Sequence, residues 1–535
     1  MSAVATFELI LALLALVVLL HWFALKLGLP PSTSLLIGGG LLAFLPGLPT
    51  VELDPELVLV VFLPPLLMDG AYFTAFGRFR RYLPGILSLA VGAVVFTTLI
   101  VGGAVHWLVP GLPWAACFAL GAIVSPPDAV SARAILQNVA LPRRVLALLE
   151  GESLLNDATG LVLFRFAVVA TLSGMFDAGS ALQNFFVLAL GGLAVGLAVG
   201  ATWVFAVRKL DDQMLIIIVS TLISWLAYVA AEALHVSGVI ATVSAGLILG
   251  WYQHQIFPAS VRLRGTAFWH TMVFLLEALV FILIGFSLRG VLDRVGGVAA
   301  VTSTMLVPIL GVVAAVIVAR FVWVFGAEGM LQLLRAGGMH RAKPLGLRQS
   351  TVLSWTGMRG VVTLAVALSL PPAMPSRDLM LVCAFAVIFA TVVVQGTSLG
   401  WLIRRVKPED SEPAARIDLG TCEAHIARAR FAVVEAGAFA EDGSPMHPQL
   451  LEQTRRRLAG TESYAEDSER ALTRMRPHFD LLLRSIAAGR RELLRIHRAG
   501  LIEDEVLHNL ERDLDVEELG TILQLHDEMP DRSSP

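Results

Sequence analysis

The chain has 535 residues, of which 56% are hydrophobic and only 16% charged, and its formal net charge is −3. A mean hydropathy of +0.74 excludes an ordinary soluble globular protein. The hydrophobicity stops near Val406: residues 407–535 hold 17 Lys/Arg and 26 Asp/Glu, a net of −9, and the rest of the chain nets +6. Composition therefore predicts an all-α polytopic membrane domain over residues 1–406 and an acidic, soluble helical tail over 407–535, with the lipid bilayer as a partner and no nucleic acid.

In chain order, the first apolar run reads as a span and not as a cleaved leader, because no Lys or Arg precedes Lys26. Spans are predicted at 4–26, 33–47, 55–75, 82–108, 112–137, 143–172, 182–207, 212–233, 237–253, 267–289, 298–334, 347–371 and 378–404. Loops after the odd-numbered spans carry the basic residues, among them Arg78, Arg80, Arg81, Arg143, Arg144, Arg208, Arg262, Arg264, Arg335 and Arg404. Loops after the even-numbered spans carry little beyond Arg289, Arg294 and Arg377. The positive-inside rule then predicts an N-terminus outside and a cytoplasmic tail in the cell membrane.

The third span contains FLPPLLMDGAY. Its Asp69 is either a second-shell acid or entrance carboxylate, or an interfacial charge near Arg78. The densest polar information lies at 121–165, GAIVSPPDAVSARAILQNVALPRRVLALLEGESLLNDATGLVLFR. Asp128, Glu150, Glu152, Asn156 and Asp157 stand there among Ala, Leu, Val and Ile. Ionisable residues at membrane depth are costly, and an ion or proton path is their default reading. Pro126 and Pro127 carry no N–H and disfavour helical torsions in Ser125 and Pro126, so the fifth span breaks and carbonyls near 121–124 lose their donors. Broken backbone survives in hydrocarbon only inside protein or beside a watery cavity, and a freed carbonyl end can ligate a cation. Asp128 would start the second half-helix, where the dipole favours an anion. The bland alternative is a proline kink with a lone protonated aspartate.

On the sixth span Ser153 and Asp157 are one turn apart on one face, and Glu152 and Asn156 share the adjacent face. A hydroxyl and a carboxylate so spaced are hard oxygen ligands suited to Na⁺ or Li⁺; the alternative is a polar seam between helices. Glu152 needs a cationic partner or a proton. Arg165 reads as an arginine that snorkels outward, and Glu232 and His235 as rim residues. Glu277 is either a lining acid or a satisfied structural one. Arg320 lies inside an apolar run and needs an anion. Arg359, between Gly357 and Gly360, marks a second weakened helix, in the twelfth span. Two interrupted helices in corresponding positions are the sequence pointer to a transporter site at the midplane. Cys117, Cys383 and Cys422 show no metal or redox spacing.

SPPDAV, GESLLNDATGLV, SGVIATVSAGLILG and TGMRGVVTLAVALSLP together resemble the sodium/proton antiporters of the monovalent cation:proton antiporter group, NhaP-type proteins and animal exchangers included. The resemblance covers roughly residues 5–405. It implies two inverted six-helix repeats with discontinuous crossing helices, plus an extra helix, in a homodimer with no cofactor. It also implies exchange of Na⁺ for H⁺ by competition for one buried site. By that resemblance Asp157 binds cation or proton, Asn156 precedes it in an Asn-Asp pair, Ser153 ligates the cation and Asp128 is the aspartate of the broken helix. The implied Na⁺ site is Asp157, Asp128 and Ser153. Glu152 matches a glutamate paired with an arginine of a later helix; position favours Arg320, with Arg359 as the fallback. An Asn-Asp pair also goes with electroneutral exchange of one cation for one proton. The chain departs from the family pattern in two places: Pro127 stands where a threonine is common, and Asp69 replaces a glutamate.

K⁺/H⁺ exchange is the nearest alternative. A channel needs an open pore lining, and an intramembrane hydrolase needs a nucleophile constellation; HExxH, GxSxG and glycine-x-glycine-aspartate patterns are missing from the sequence. The tail, after a linker at KPEDSEPAAR, reads as a solvated helical bundle, or as a cytoplasmic pH sensor through its six histidines.

Overall fold

The structure is a computed structural model that describes residues 3–45, 54–128, 141–175, 178–339, 343–410, 418–439, 444, 446–466 and 468–528. The chain forms two compact units, Met1–Glu412 and Pro413–Pro535.

Among the described residues the regular elements of the first unit are all helices. Its elements are α1 Ala3–Leu27, α2 Pro31–Ala43, α3 Pro55–Phe73, α4 Phe76–Leu108, α5 Trp114–Val124, α6 Arg143–Ser173 and α7 Ala178–Val207. They continue as α8 Gln213–Ala233, α9 Gly238–Ile256, α10 Ala259–Arg294, α11 Gly297–Ala336, α12 Leu347–Trp355, α13 Val361–Leu368 and α14 Arg377–Val406. Among the described residues, eight helices are long and apolar enough to cross a membrane, and α2, α5 and much of α1 are shorter apolar helices. The chain is an all-α polytopic membrane protein.

Two helices begin earlier than hydropathy suggests. α4 starts at Phe76 and α10 at Ala259, so Arg78, Arg80, Arg81, Arg262 and Arg264 lie on helices and not in loops. Amphipathicity explains the α4 extension: Phe79 is buried while Arg78, Arg80 and Arg81 are exposed. The twelfth span is two helices, because Thr356–Gly360 are non-helical. The second half of the fifth span, over 129–137, lies outside the described residues.

Helices α1–α3 and α7–α10 pack against one another, and α4–α6 with α11–α14 form a second group. Contacts across the seam come mainly from α3, α9 and α10 against α6, α13 and α14. Each group is held by close backbone approach. Gly285 of α10 lies directly on the Gly40 amide and the Leu36 carbonyl of α2, where a Cβ would collide with backbone. Gly121 of α5 lies in the same way on the Thr98 carbonyl of α4. Small residues are how membrane helices gain dispersion energy without a hydrophobic drive between them.

The second unit contains α15 Leu419–Gly437, α16 Pro448–Glu466, α17 Ser468–Arg498 and α18 Asp504–Glu528. Phe479, Ile486 and Leu493 of α17 are buried, a seven-residue stripe of the kind that packs a helical hairpin. Arg490 bridges α17 to Asp515 at 2.6 Å and Glu518 at 2.5 Å on α18.

Candidate cation site

The centre of the first unit is built where the end of α5 faces the gap between α12 and α13. α5 ends at Val124 and the Ser125–Pro126–Pro127 stretch follows it. Opposite, the Thr356–Gly360 stretch separates α12 from α13. The two join through the backbone: the Asp128 N–H donates to the Met358 carbonyl at 2.6 Å. Gly360 lies so close to the Asp128 carboxyl that any Cβ there would strike it. Asp128 thus meets the N-terminal end of α13, where the helix dipole favours an anion.

Two carbonyls at the α5 break, those of Val124 and Ser125, are taken by one side chain. Arg359, buried to 2% exposure, donates from Nε to the Val124 carbonyl at 2.8 Å and from Nη2 to the Ser125 carbonyl at 3.1 Å. Its Nη1 donates to the Gly357 carbonyl, and its backbone N–H to Thr391 Oγ1 at 3.0 Å. A guanidinium carries five donors in a planar fork, so one side chain satisfies the exposed ends of both breaks. Thr391 belongs to a π-helical segment of α14, Ala390–Gln395, and such segments recur at functional sites.

Arg320 of α11 takes the other role. Its Nη1 and Nη2 donate to the two oxygens of Glu152 at 2.6 and 2.9 Å, and its Nε to the Leu353 carbonyl at 3.2 Å. Both side chains are 4% exposed or less. Glu152 is therefore paired with Arg320, and Arg359 is committed to the backbone.

Asp157, Ser153 and Glu150 share one face of the unbroken α6, at the heptad-like spacing that puts residues one and two turns apart in line. With Pro126, Asp128, Gly360 and Thr363, and with Leu63, Leu66, Leu67 and Gly70 of α3, they wall a cavity of about 40 Å³. It lies at the seam between the two helix groups. Asn156 stands outside that wall: it is fully buried, and its Nδ2 donates to the Pro127 carbonyl at 2.5 Å. Among the described residues its Oδ1 has no partner. Asp69 is buried and accepts from Trp269 Nε1 at 3.0 Å, while Glu277 of α10 is half-buried; neither lines the cavity. At the periphery Arg165 pairs with Glu232 at 3.5 Å, both partly exposed.

Three polar residues carry roles that sequence spacing did not assign. Glu150 is a cavity acid whose position, seven residues before Asp157, signalled the shared face. Thr363 is a cavity hydroxyl in the first turn of α13. Glu328 is 3% exposed and accepts from the Leu345 and Gly346 N–H groups at 2.7 and 2.9 Å, which anchors the approach to α12. A lone acid in an apolar helix was the available signal for it.

The described cavity wall offers the oxygens of three carboxyls and two hydroxyls, with no nitrogen or sulfur side chain. Such a set suits a hard alkali cation, and its carboxyls also accept protons.

Comparison with known proteins agrees with this chemistry. Residues 11–405 match the family model described as the transmembrane sodium/hydrogen exchanger. An uncharacterized Na⁺/H⁺ exchanger of Mycobacterium bovis is 30% identical over 526 residues, 95% of each chain. A sodium, potassium, lithium and rubidium/H⁺ antiporter of Bacillus subtilis is 34% identical over 64% of this chain and 53% of its own. The fold is similar to that of the sodium proton antiporter MjNhaP1 of Methanocaldococcus jannaschii at a TM-score of 0.60 and 21% identity, over 76% of this chain and all of that one.

The buried pair yields a stability prediction. Removing one partner strands a charge in a low-dielectric interior, at a cost of about 3–5 kcal/mol. Glu152→Gln and Arg320→Ala should each lower the melting temperature in detergent together with activity. A Glu152→Gln protein that melts with the wild type and keeps full activity contradicts the pairing.

Proposed function

This chain belongs to the sodium/hydrogen exchanger family and is a membrane cation/proton antiporter; from that premise we propose that it exchanges Na⁺ for H⁺ one for one at Asp157. The observation that carries the reading is the cavity wall that joins Asp128, Ser153 and Asp157 beside two interrupted helices. Taking a carboxylate out of water favours its protonated form, and a bound cation favours its ionised form. One carboxyl in such a place binds either ion and not both. Ser153 adds a hydroxyl oxygen for the cation. Asn156 can bind no proton, and its amide holds the Pro127 carbonyl, so its role is to fix the break beside Asp157. Asp128, at the α13 end, contributes charge and ligation, and Asp157 carries the proton.

The two helix groups, each held by close backbone approach and meeting at the seam that contains the site, support alternating access. Rocking one group against the other exposes Asp157 to either side. The basic-loop pattern puts the N-terminus outside and the tail in the cytoplasm. Residues 1–406 form the antiporter domain, which dimerises as the family does, and residues 407–535 form a regulatory tail. K⁺ is the second candidate cation, because the Bacillus subtilis relative is named for four alkali ions.

In proteoliposomes, Asp157→Asn and Asp128→Asn should each abolish Na⁺-driven proton movement while inserting normally; wild-type exchange in either variant removes that residue from the site. With the voltage clamped by potassium and valinomycin, the balance point of the Na⁺ and H⁺ gradients should not move. One uncompensated charge would feel ~2.3 kcal/mol per 100 mV, so a voltage-dependent balance point refutes one-for-one exchange and makes Asp128 a second proton carrier. Truncation after Val406 should leave exchange intact and shift its pH profile; an unchanged profile discards regulation by the tail.

A further inference from the structure

Thr363 lines the same cavity as Asp128, Ser153 and Asp157, and the residue as a whole is only 2% exposed. A hydroxyl in an apolar bundle is costly unless it is bonded. On a membrane helix the ready solution is to donate to the carbonyl four residues back, as Thr98, Thr221 and Thr391 do at 2.8, 2.9 and 2.8 Å. That solution is closed to Thr363. Four residues back lies Arg359, in the interrupted stretch ahead of α13. Among the described residues the Thr363 hydroxyl has no hydrogen-bond partner. Ser153 is in the same condition, although α6 is continuous and the Leu149 carbonyl is in reach of a back-bond.

Two unbonded hydroxyls, from α6 and from α13, thus share a cavity with the carboxyls of Asp128 and Asp157. Pro127, next to Asp128, supplies neither N–H nor hydroxyl, so among the described residues Asp128 is the ligating side chain that the α5 break contributes to the wall. We infer that Thr363 is a cation ligand: its oxygen joins Ser153, Asp128 and Asp157 around a partly dehydrated Na⁺ or Li⁺. The inference rests on the antiport reading above. The interruption of the twelfth span then has a second consequence besides seating Arg359. It releases a threonine hydroxyl from its helical carbonyl at the depth of the site.

A neutral hydroxyl binds the cation and takes no part in protonating Asp157. Thr363 should therefore tune cation affinity and leave proton affinity alone. The experiment measures Na⁺- and Li⁺-driven proton release from proteoliposomes, across pH, for wild type, Thr363→Val and Thr363→Ser. Valine is isosteric and keeps the packing; serine keeps the hydroxyl and loses a methyl. Thr363→Val should raise the apparent KM for Na⁺ about tenfold, the size of one lost neutral polar contact, and change the Li⁺/Na⁺ ratio. Its maximal rate and apparent proton affinity should match the wild type, and Thr363→Ser should stay within about twofold in KM. A Thr363→Val protein with wild-type KM and ion ratio overturns the inference. So does a Thr363→Ser protein as impaired as the valine variant, since packing would then be what matters. Should the valine variant fail to reconstitute, Thr363→Ala is read by the same KM and proton-affinity criteria. Absence of cation-driven proton release in the wild type is a different outcome, and fails the antiport reading itself.

Discussion

The structure of the membrane unit depends on how one arginine answers two broken helices. A carbonyl without a donor costs several kcal/mol in hydrocarbon, and the Ser125–Pro126–Pro127 break leaves such carbonyls at the end of α5. Arg359 caps them from the interrupted stretch of the opposite helix, and the Asp128 N–H closes the junction on Met358. The two breaks are therefore one joint. Asp128 is held between them.

Around that joint the buried charges divide into those that close on one another or on the backbone and those that line the cavity. Arg359 is spent on backbone carbonyls, and Arg320 with Glu152 forms a closed bidentate pair. These groups stiffen the helices and expose nothing to a ligand. Asp128, Glu150 and Asp157 face the cavity instead. Asn156 ties these parts together, since its amide holds the Pro127 carbonyl while its neighbour Asp157 faces the cavity.

Close packing within each helix group is assigned by the glycines. Gly285 on α2 and Gly121 on α4 bring backbones into contact within each helix group, where any side chain would force the helices apart. The seam between the groups is crossed by α3, α9 and α10, and the cavity lies on it, walled on one side by α3 and on the other by α5, α6 and α13. A site built on such a boundary can change its exposure without dismantling either group.

Much of this was legible in the sequence, for a local reason. Hydropathy identifies apolar helices, prolines without N–H groups break a helix wherever they occur, and spacings of three, four and seven residues fix which side chains share a face. Asp128 at a break and Ser153 with Asp157 on one helix face follow from those rules alone, and the motifs carried the family. Tertiary structure decided what lies opposite each face. Glu152 meets Arg320 across a sequence separation of 168, and Arg359 meets the Val124 carbonyl across 235; no periodicity encodes a partner at that distance. The same holds for Asp69, which turned to Trp269, and for Asn156, which shares a helix with Asp157 and yet stands outside the cavity wall. Thr363 is the sharpest case. Its sequence context reads as an ordinary apolar helix, and the non-helical backbone at Arg359, four residues back, appears only in the fold.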